Sequence, residues 1–315
     1  MGIFNLFYQF DRCTSNPNAE VVVLIHGLGL NAHTWEPLVL LLVERYHVLR
    51  YDMRGHGKSL NDGSELTWEL LCNDLDDLYH ECDIEKAHMI GHGLGGSLTV
   101  KYELTRPDRV ETVVLISTVG FYPPGLVKRS LSLRQGYAGN GGAAELGEQM
   151  TRLVTCLSLD SEEAGWIKEA YRQCDMKVYF HLASLFATAS PLDDLSAITK
   201  PCMVIGGEKD TLYPSYMSEI TAAFIPNARS VTVLNAASMV YIDNPIYTAR
   251  KIMDFYANPL SGRETVHAGN PQLGIMNSDI VELFSQVNAE IPSKAAQRIE
   301  VRLIGLRHYG LDAAA

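Results

Sequence analysis

The run Ala87-His88-Met89-Ile90 passes directly into Gly91-His92-Gly93-Leu94-Gly95-Gly96, and a helical stretch then continues to Arg106, just ahead of Pro107. A short apolar run, a glycine-dense corner and a helix read as a strand turned sharply into a helix. The same alternation surrounds it. Val21-Val22-Val23-Leu24-Ile25 is a β-branched run of the kind that forms a buried strand, and a helical stretch follows from about His33 to Tyr46. His47 to Asp52 is a second strand, closed by the turn residues Arg54 to Ser59. A helix from about Thr67 to Cys82 carries Leu70, Leu71, Leu75 and Leu78 on one face. Val110 to Ser117, Pro201 to Gly206 and Ser230 to Leu234 add three strands, and a helix from about Ile246 to Tyr256 closes the pattern. Strands alternating with helices imply an α/β chain with a mostly parallel central sheet and helices on both faces.

The pattern breaks between 118 and 199, which holds no convincing strand. Tyr137 to Gly142 reads as a loop and Glu162 to Ala189 as helix rich in Leu, Tyr and Phe. The expected organisation is therefore a core of 1–117 and 200–257, a helical cap of 118–199, and a C-terminal extension of 258–315. In that extension Ser261 to Gly274 reads as a polar linker. Asn277 or Ser278 then caps a helix on which Met276, Ile280, Phe284, Val287 and Ile291 form an apolar stripe. The stripe is either docked on its own domain or faces a protein partner, and 275–310 is where such a partner is expected. Gln297 to Leu306 is strand or helix.

With 315 residues and 47% apolar content the chain can build a full core, and 20% charged residues argue against disorder. The net charge of −11 excludes nucleic acid, whose phosphates would repel it. No run of eighteen apolar residues occurs, so no membrane span is expected. The first residues lack the basic-then-apolar layout of a secretory signal, and Leu6 stands where a myristoylation site after Gly2 needs Ser or Thr. The cysteines at 13, 72, 82, 156, 174 and 202 are scattered, which suits reduced, mostly buried thiols in a soluble intracellular protein with no metal, disulfide or cofactor.

Four motifs in this order and spacing resemble the α/β-hydrolase superfamily, in its capped esterase- and lactonase-like branch, over roughly residues 20–256. His26-Gly27-Leu28-Gly29 resembles the oxyanion loop, and Asp52-Met53-Arg54-Gly55-His56-Gly57-Lys58-Ser59 the turn after the next strand. Residues 91–96 resemble the nucleophile elbow, Gly-x-Ser-x-Gly, and Gly206-Gly207-Glu208-Lys209-Asp210 the strand end that carries the triad acid. The resemblance implies a serine nucleophile, a histidine base and an acid that orients the histidine, with two backbone N–H groups holding the oxyanion. Carried onto this chain, it makes Asp210 the acid and the N–H groups of Leu28 and Leu94 the oxyanion donors. Gly93 stands at the nucleophile position and Ser238, within Asn235 to Pro245, at the histidine position.

Two of three triad groups are thus absent, the two that carry the nucleophilic and proton-transfer chemistry. Strand alternation points His92 away from the attacking position, into a packing or hydrogen-bonded role. Ser238 is expected to have no base beside it, and Ser97 to be buried against the sheet. Asp210, without an imidazole, is expected either to titrate high and serve as a lone acid or base, or to remain as a carboxylate bonded to Ser238 or backbone N–H groups. His26 and His56 are read as structural, and Tyr213 and Tyr241 either line the cleft or serve as packing residues. Residues 165–187 form either a core or the wall of a pocket for a small hydrophobic ligand. The expected function is a catalytically impaired pseudo-enzyme acting as a binding module or a structural subunit of a larger assembly. Two alternatives stand beside it: a cyclase- or lyase-type enzyme using Asp210, and a carboxylic ester or lactone hydrolase inactivated naturally or by design.

Overall fold

A computed structural model describes residues 6–118, 120, 124–188 and 192–260. The compact unit that they build comprises Met1–Tyr122 and Val127–Thr265; a second unit, Pro123–Leu126 with Val266–Ala315, falls almost wholly outside the described residues. The extension, with its expected helix from 277 and partner surface at 275–310, lies outside them too.

Seven strands form one sheet in the order β1-β3-β2-β4-β5-β6-β7. They are β1 (Tyr8–Asp11), β2 (Val21–Ile25), β3 (His47–Tyr51), β4 (Ala87–His92), β5 (Val110–Ile116), β6 (Cys202–Gly207) and β7 (Ala228–Val233). Only β1 runs antiparallel, pairing Tyr8 with Tyr51; every other pairing is parallel. The strands are apolar on both faces because both faces are covered. Along β2, Val23 and Ile25 enter one core cluster with Leu71, Leu75 and Leu98, while Val22 and Leu24 enter the other with Leu38, Leu42 and Phe255. The first cluster includes side chains of α2 (Trp68–Glu81) and α3 (Leu94–Thr105), and the second side chains of α1 (Glu36–Leu42) and α10 (Pro245–Ala257), each joined by residues of the other helices.

Between β5 and β6 the chain is helical: α4 (Pro124–Val154), α5 (Glu162–Arg172), α6 (Met176–Thr188) and the short α7 (Leu192–Leu195). Of the loop expected at 137–142, residues 137–140 are helical, and the break falls at Gly141 and Gly142, whose non-helical angles divide α4 into two helical halves. Leu146, Met150 and Val154, four residues apart and buried, hold the second half of α4 against the core. The helix expected over 162–189 is two, parted at Gln173–Asp175, where the Asp175 N–H donates to the Gly55 carbonyl (2.8 Å) and Asp175 Oδ1 accepts from the Lys177 N–H (2.8 Å). The stretch from 33 to 46 divides likewise into a 3-10 turn at Ala32–Trp35 and α1, which ends at Leu42. Among the described elements, β1, α7, α8 (Ser215–Phe224) and α9 (Val240–Asp243) had no specific sequence expectation. None of the helices among the described residues is long and apolar enough to cross a membrane.

Candidate active site

The corner after β4 is built by close backbone approach. A Cβ on Gly95 would lie 2.2 Å from the Ile25 carbonyl oxygen, so no larger residue fits between α3 and β2. Gly93 is different. It adopts φ 52° and ψ −113°, a conformation that side chains resist, yet a Cβ there would meet nothing within 4 Å. Its N–H donates to the Ile116 carbonyl (3.0 Å) and its carbonyl accepts from Gly96 and Ser97 at the start of α3. The strained corner is intact, its tip faces open space, and no hydroxyl projects from it. Leu94, the first residue of α3, sits where helical N–H groups lack intrahelical acceptors.

Leu28 is positioned by two imidazoles. His26 accepts the Met53 N–H at Nε2 (2.9 Å) and donates from Nδ1 to the Gly27 carbonyl (2.8 Å). His56 accepts the Gly29 N–H at Nε2 (3.1 Å) and donates from Nδ1 to the Arg54 carbonyl (3.0 Å). Each ring uses one donor and one acceptor, so both are neutral. Burial keeps them so, pushing His26 down to about 4 and His56 to about 3. Asp52 completes the support, accepting the Ala32 and Lys58 N–H groups.

Asp210 lies just beyond β6 and is buried. One carboxylate oxygen accepts the Leu212 (2.9 Å) and Tyr213 (2.8 Å) N–H groups; the other accepts the Ser117 hydroxyl (2.9 Å). Burial raises its carboxyl to about 6, and these hydrogen bonds, with one from Ser238, hold it from rising further. Ser117 also donates to the Ser238 carbonyl (3.1 Å), and it stands at φ 43°, an uncommon angle for a residue with a side chain.

The expectation that Ser238 has no base beside it is corrected here. Its hydroxyl lies 3.0 Å from His92 Nε2, across 146 residues of chain. His92 does not turn away from the cleft but lines it with Gly93 and Ser238. Its Nδ1 meets the Tyr241 hydroxyl (3.3 Å), and Tyr241 stacks on Trp35 with ring centroids 3.9 Å apart. The imidazole fits only because residue 27 is glycine: a Cβ there would stand 2.7 Å from Nδ1. Full burial pushes His92 down to about 3, so the ring is neutral and a poor proton acceptor. Ser238 therefore has one proton and two acceptors, His92 and the Asp210 carboxylate, and the charged oxygen is the stronger.

Leu28, Gly93, Leu94 and Ser238 line one cleft of about 60 Å³ of water-accessible space, and Asp210 stands behind Ser238. A bound water needs roughly 10–15 Å³, so the cleft has room for a small organic ligand. Part of the wall comes from the helices between β5 and β6: Leu131 and Arg134 of α4, Tyr171 of α5, Ala183 and Phe186 of α6. The sequence pointed to Gly93, Asp210, Ser238, Leu28 and Leu94, and to Tyr171 only within the stretch 165–187, but not to Ser117 or Arg134. Ser117 is marked only by its backbone angle. Arg134 carries a sequence signal, a charged residue three after Leu131 on the face that the structure shows to be buried.

The model of the alpha/beta hydrolase family matches residues 22–250. Among similar proteins are the (E)-2-((N-methylformamido)methylene)succinate hydrolase of Acinetobacter baylyi, 24% identical over 72% of this chain and 86% of that protein. A putative carbamate hydrolase, RutD, of Pseudomonas savastanoi pv. phaseolicola is 26% identical over 79% of this chain and 98% of its own length. Among solved structures, the enol-lactonase of Burkholderia xenovorans LB400 superposes with a TM-score of 0.71 at 25% identity, covering 80% of this chain and 96% of that one. The match spans well over half of the sequence and follows the sheet from β2 into α10, and on it the chain belongs to the alpha/beta hydrolase family.

Proposed function

We propose that this chain is a ligand-binding member of its family that no longer hydrolyses through an acyl-enzyme at the elbow. The observation that carries the reading is Gly93: the strained corner and its open tip are present, and the attacking group is not. Loss of the nucleophile alone leaves only the roughly 10³–10⁴-fold catalysis supplied by an oxyanion hole and binding. The binding parts are in place. Leu28 and Leu94 face the cleft beside Gly93, and similar proteins act on small carbonyl compounds, a substituted succinate and an enol-lactone by their names.

The test is pre-steady-state kinetics with p-nitrophenyl butyrate. The native chain should release nitrophenol without a burst and at a rate indistinguishable from that of a Ser238→Ala variant. Gly93→Ser combined with Ser238→His places a hydroxyl at the tip and an imidazole beside Asp210. It should gain on the order of 10²-fold in kcat/KM, the lower end of what a positioned base contributes. A burst from the native chain would sink the reading.

One observation favours a second reading. The Ser238–His92 contact at 3.0 Å is a hydroxyl beside an imidazole within the cleft, a residual nucleophile pair with the two partners exchanged between loops. A fluorophosphonate probe separates the two. An adduct on Ser238 that disappears in His92→Gln supports the pair, and an unlabelled protein supports binding alone.

A further inference from the structure

Arg134 is 7% exposed and lines the cleft. Among the described residues it has no carboxylate within 4 Å, and its partners are neutral: the Ser130 hydroxyl at Nε (3.3 Å) and the phenol oxygens of Tyr179 and Tyr171. The other buried arginine among the described residues, Arg50, 3% exposed, is paired with Glu36 and Asp11, and the half-buried Arg54 is paired with Asp74 and Asp62. A guanidinium stays charged in a protein, and a buried charge without a counter-charge is costly unless its partner comes from elsewhere. Three neutral partners also leave at least two of its five N–H donors for another acceptor. Among the described residues that line the cleft, Arg134 alone carries a formal charge, and Asp210 is directed instead at Ser117, Ser238 and two backbone N–H groups.

The Tyr171 hydroxyl connects the two ends of the cleft. It contacts Arg134 and donates to the Leu28 carbonyl (3.3 Å). An acceptor held by Arg134 therefore shares the cleft with Leu28, Gly93 and Leu94. Resting on the ligand-binding reading above, we propose that the cleft binds a small organic carboxylate. Its carboxylate takes the Arg134 guanidinium in the planar two-point geometry that this pair favours, and its short apolar body lies against Leu131, Ala183 and Phe186.

Calorimetric titration of the full chain with butanoate, pentanoate and hexanoate, and with the three matching primary amides, tests this. The carboxylates should bind at least tenfold more tightly than amides of equal length. Arg134→Met should remove that preference and Arg134→Lys should keep part of it. Equal or tighter amide binding, absence of carboxylate binding at millimolar concentration, or a preference that survives in Arg134→Met would each overturn the proposal. Should Arg134→Met fail to fold, the comparison of acid with amide in the native chain decides by itself. Ester turnover by the native chain would sink the non-hydrolytic reading and leave the carboxylate preference standing. Loss of the preference with no turnover would do the reverse.

Discussion

Asp210 is held in the folded state with its carboxyl near 6, against about 3.8 in the unfolded chain. The folded protein therefore binds a proton more tightly than the unfolded one, and ionising Asp210 opposes folding. That penalty is absent near pH 3–4, grows between about 4 and 6, and is complete above. Asn at 210 can still accept the two backbone N–H groups without the charge. Asp210→Asn should thus be neutral near pH 4 and stabilising by on the order of 2–3 kcal/mol at pH 7–8, read from urea midpoints across that range. A gain that does not vary with pH would refute the assignment. The three neutral imidazoles act in the opposite sense. His26, His56 and His92 have folded values below the ordinary 6.5, so their contribution is present above pH 6.5 and is lost as pH falls toward 4. That glycine stands at 93 in the elbow-like corner and serine at 238 was plain in the sequence. That Ser238 meets His92 was not, because two residues 146 apart meet through tertiary packing and no local spacing encodes it.

At the scale of the element, the strand-to-helix corner gives a prediction that separates space from angle. Gly95→Ala drives a methyl group into the Ile25 carbonyl, which belongs to the central strand β2 and cannot yield cheaply. Gly93→Ala meets no atom and pays only for its backbone angles, about 1–3 kcal/mol. Urea unfolding should rank Gly95→Ala as clearly the more damaging; equal losses would contradict the geometry. The elements most legible in the sequence were those with dense β-branched runs, β2, β5 and β6. β1 was missed because Tyr8-Gln9-Phe10-Asp11 is four residues at a sheet edge, too short to show a period. Helix α8 was missed although Met217, Thr221 and Ala222 form its buried face, since a polar residue, Ser218, shares that face. Through 137–140, the turn-forming Gly139 and Asn140 outweighed helical periodicity in the sequence reading but not in the packed protein.

For the whole molecule, the alternation of strand and helix was enough to expect a doubly covered sheet, because both faces of a parallel sheet need apolar cover. Which helix closes which face follows only from the order β1-β3-β2-β4-β5-β6-β7. Helix α10 buries Ala249, Ile252 and Phe255 against the face that holds α1. At about 1.5–3 kcal/mol for each large side chain, removing it withdraws stability comparable to that of an entire domain once its backbone contacts are counted. A chain ending after Asn244 should fail to fold cooperatively, whereas one ending after Leu260 should retain a sharp thermal transition. A sharp transition in the shorter chain would show that α10 is dispensable.

The open tip at Gly93 also changes what shape of guest the cleft admits. In a serine enzyme, a branched group on the carbon next to the carbonyl must share room with the attacking hydroxyl. Here that corner is clear, since a Cβ would touch nothing within 4 Å. Guests bearing a methyl branch at that carbon should be accepted as readily as straight ones, a tolerance that refilling residue 93 with serine would take away.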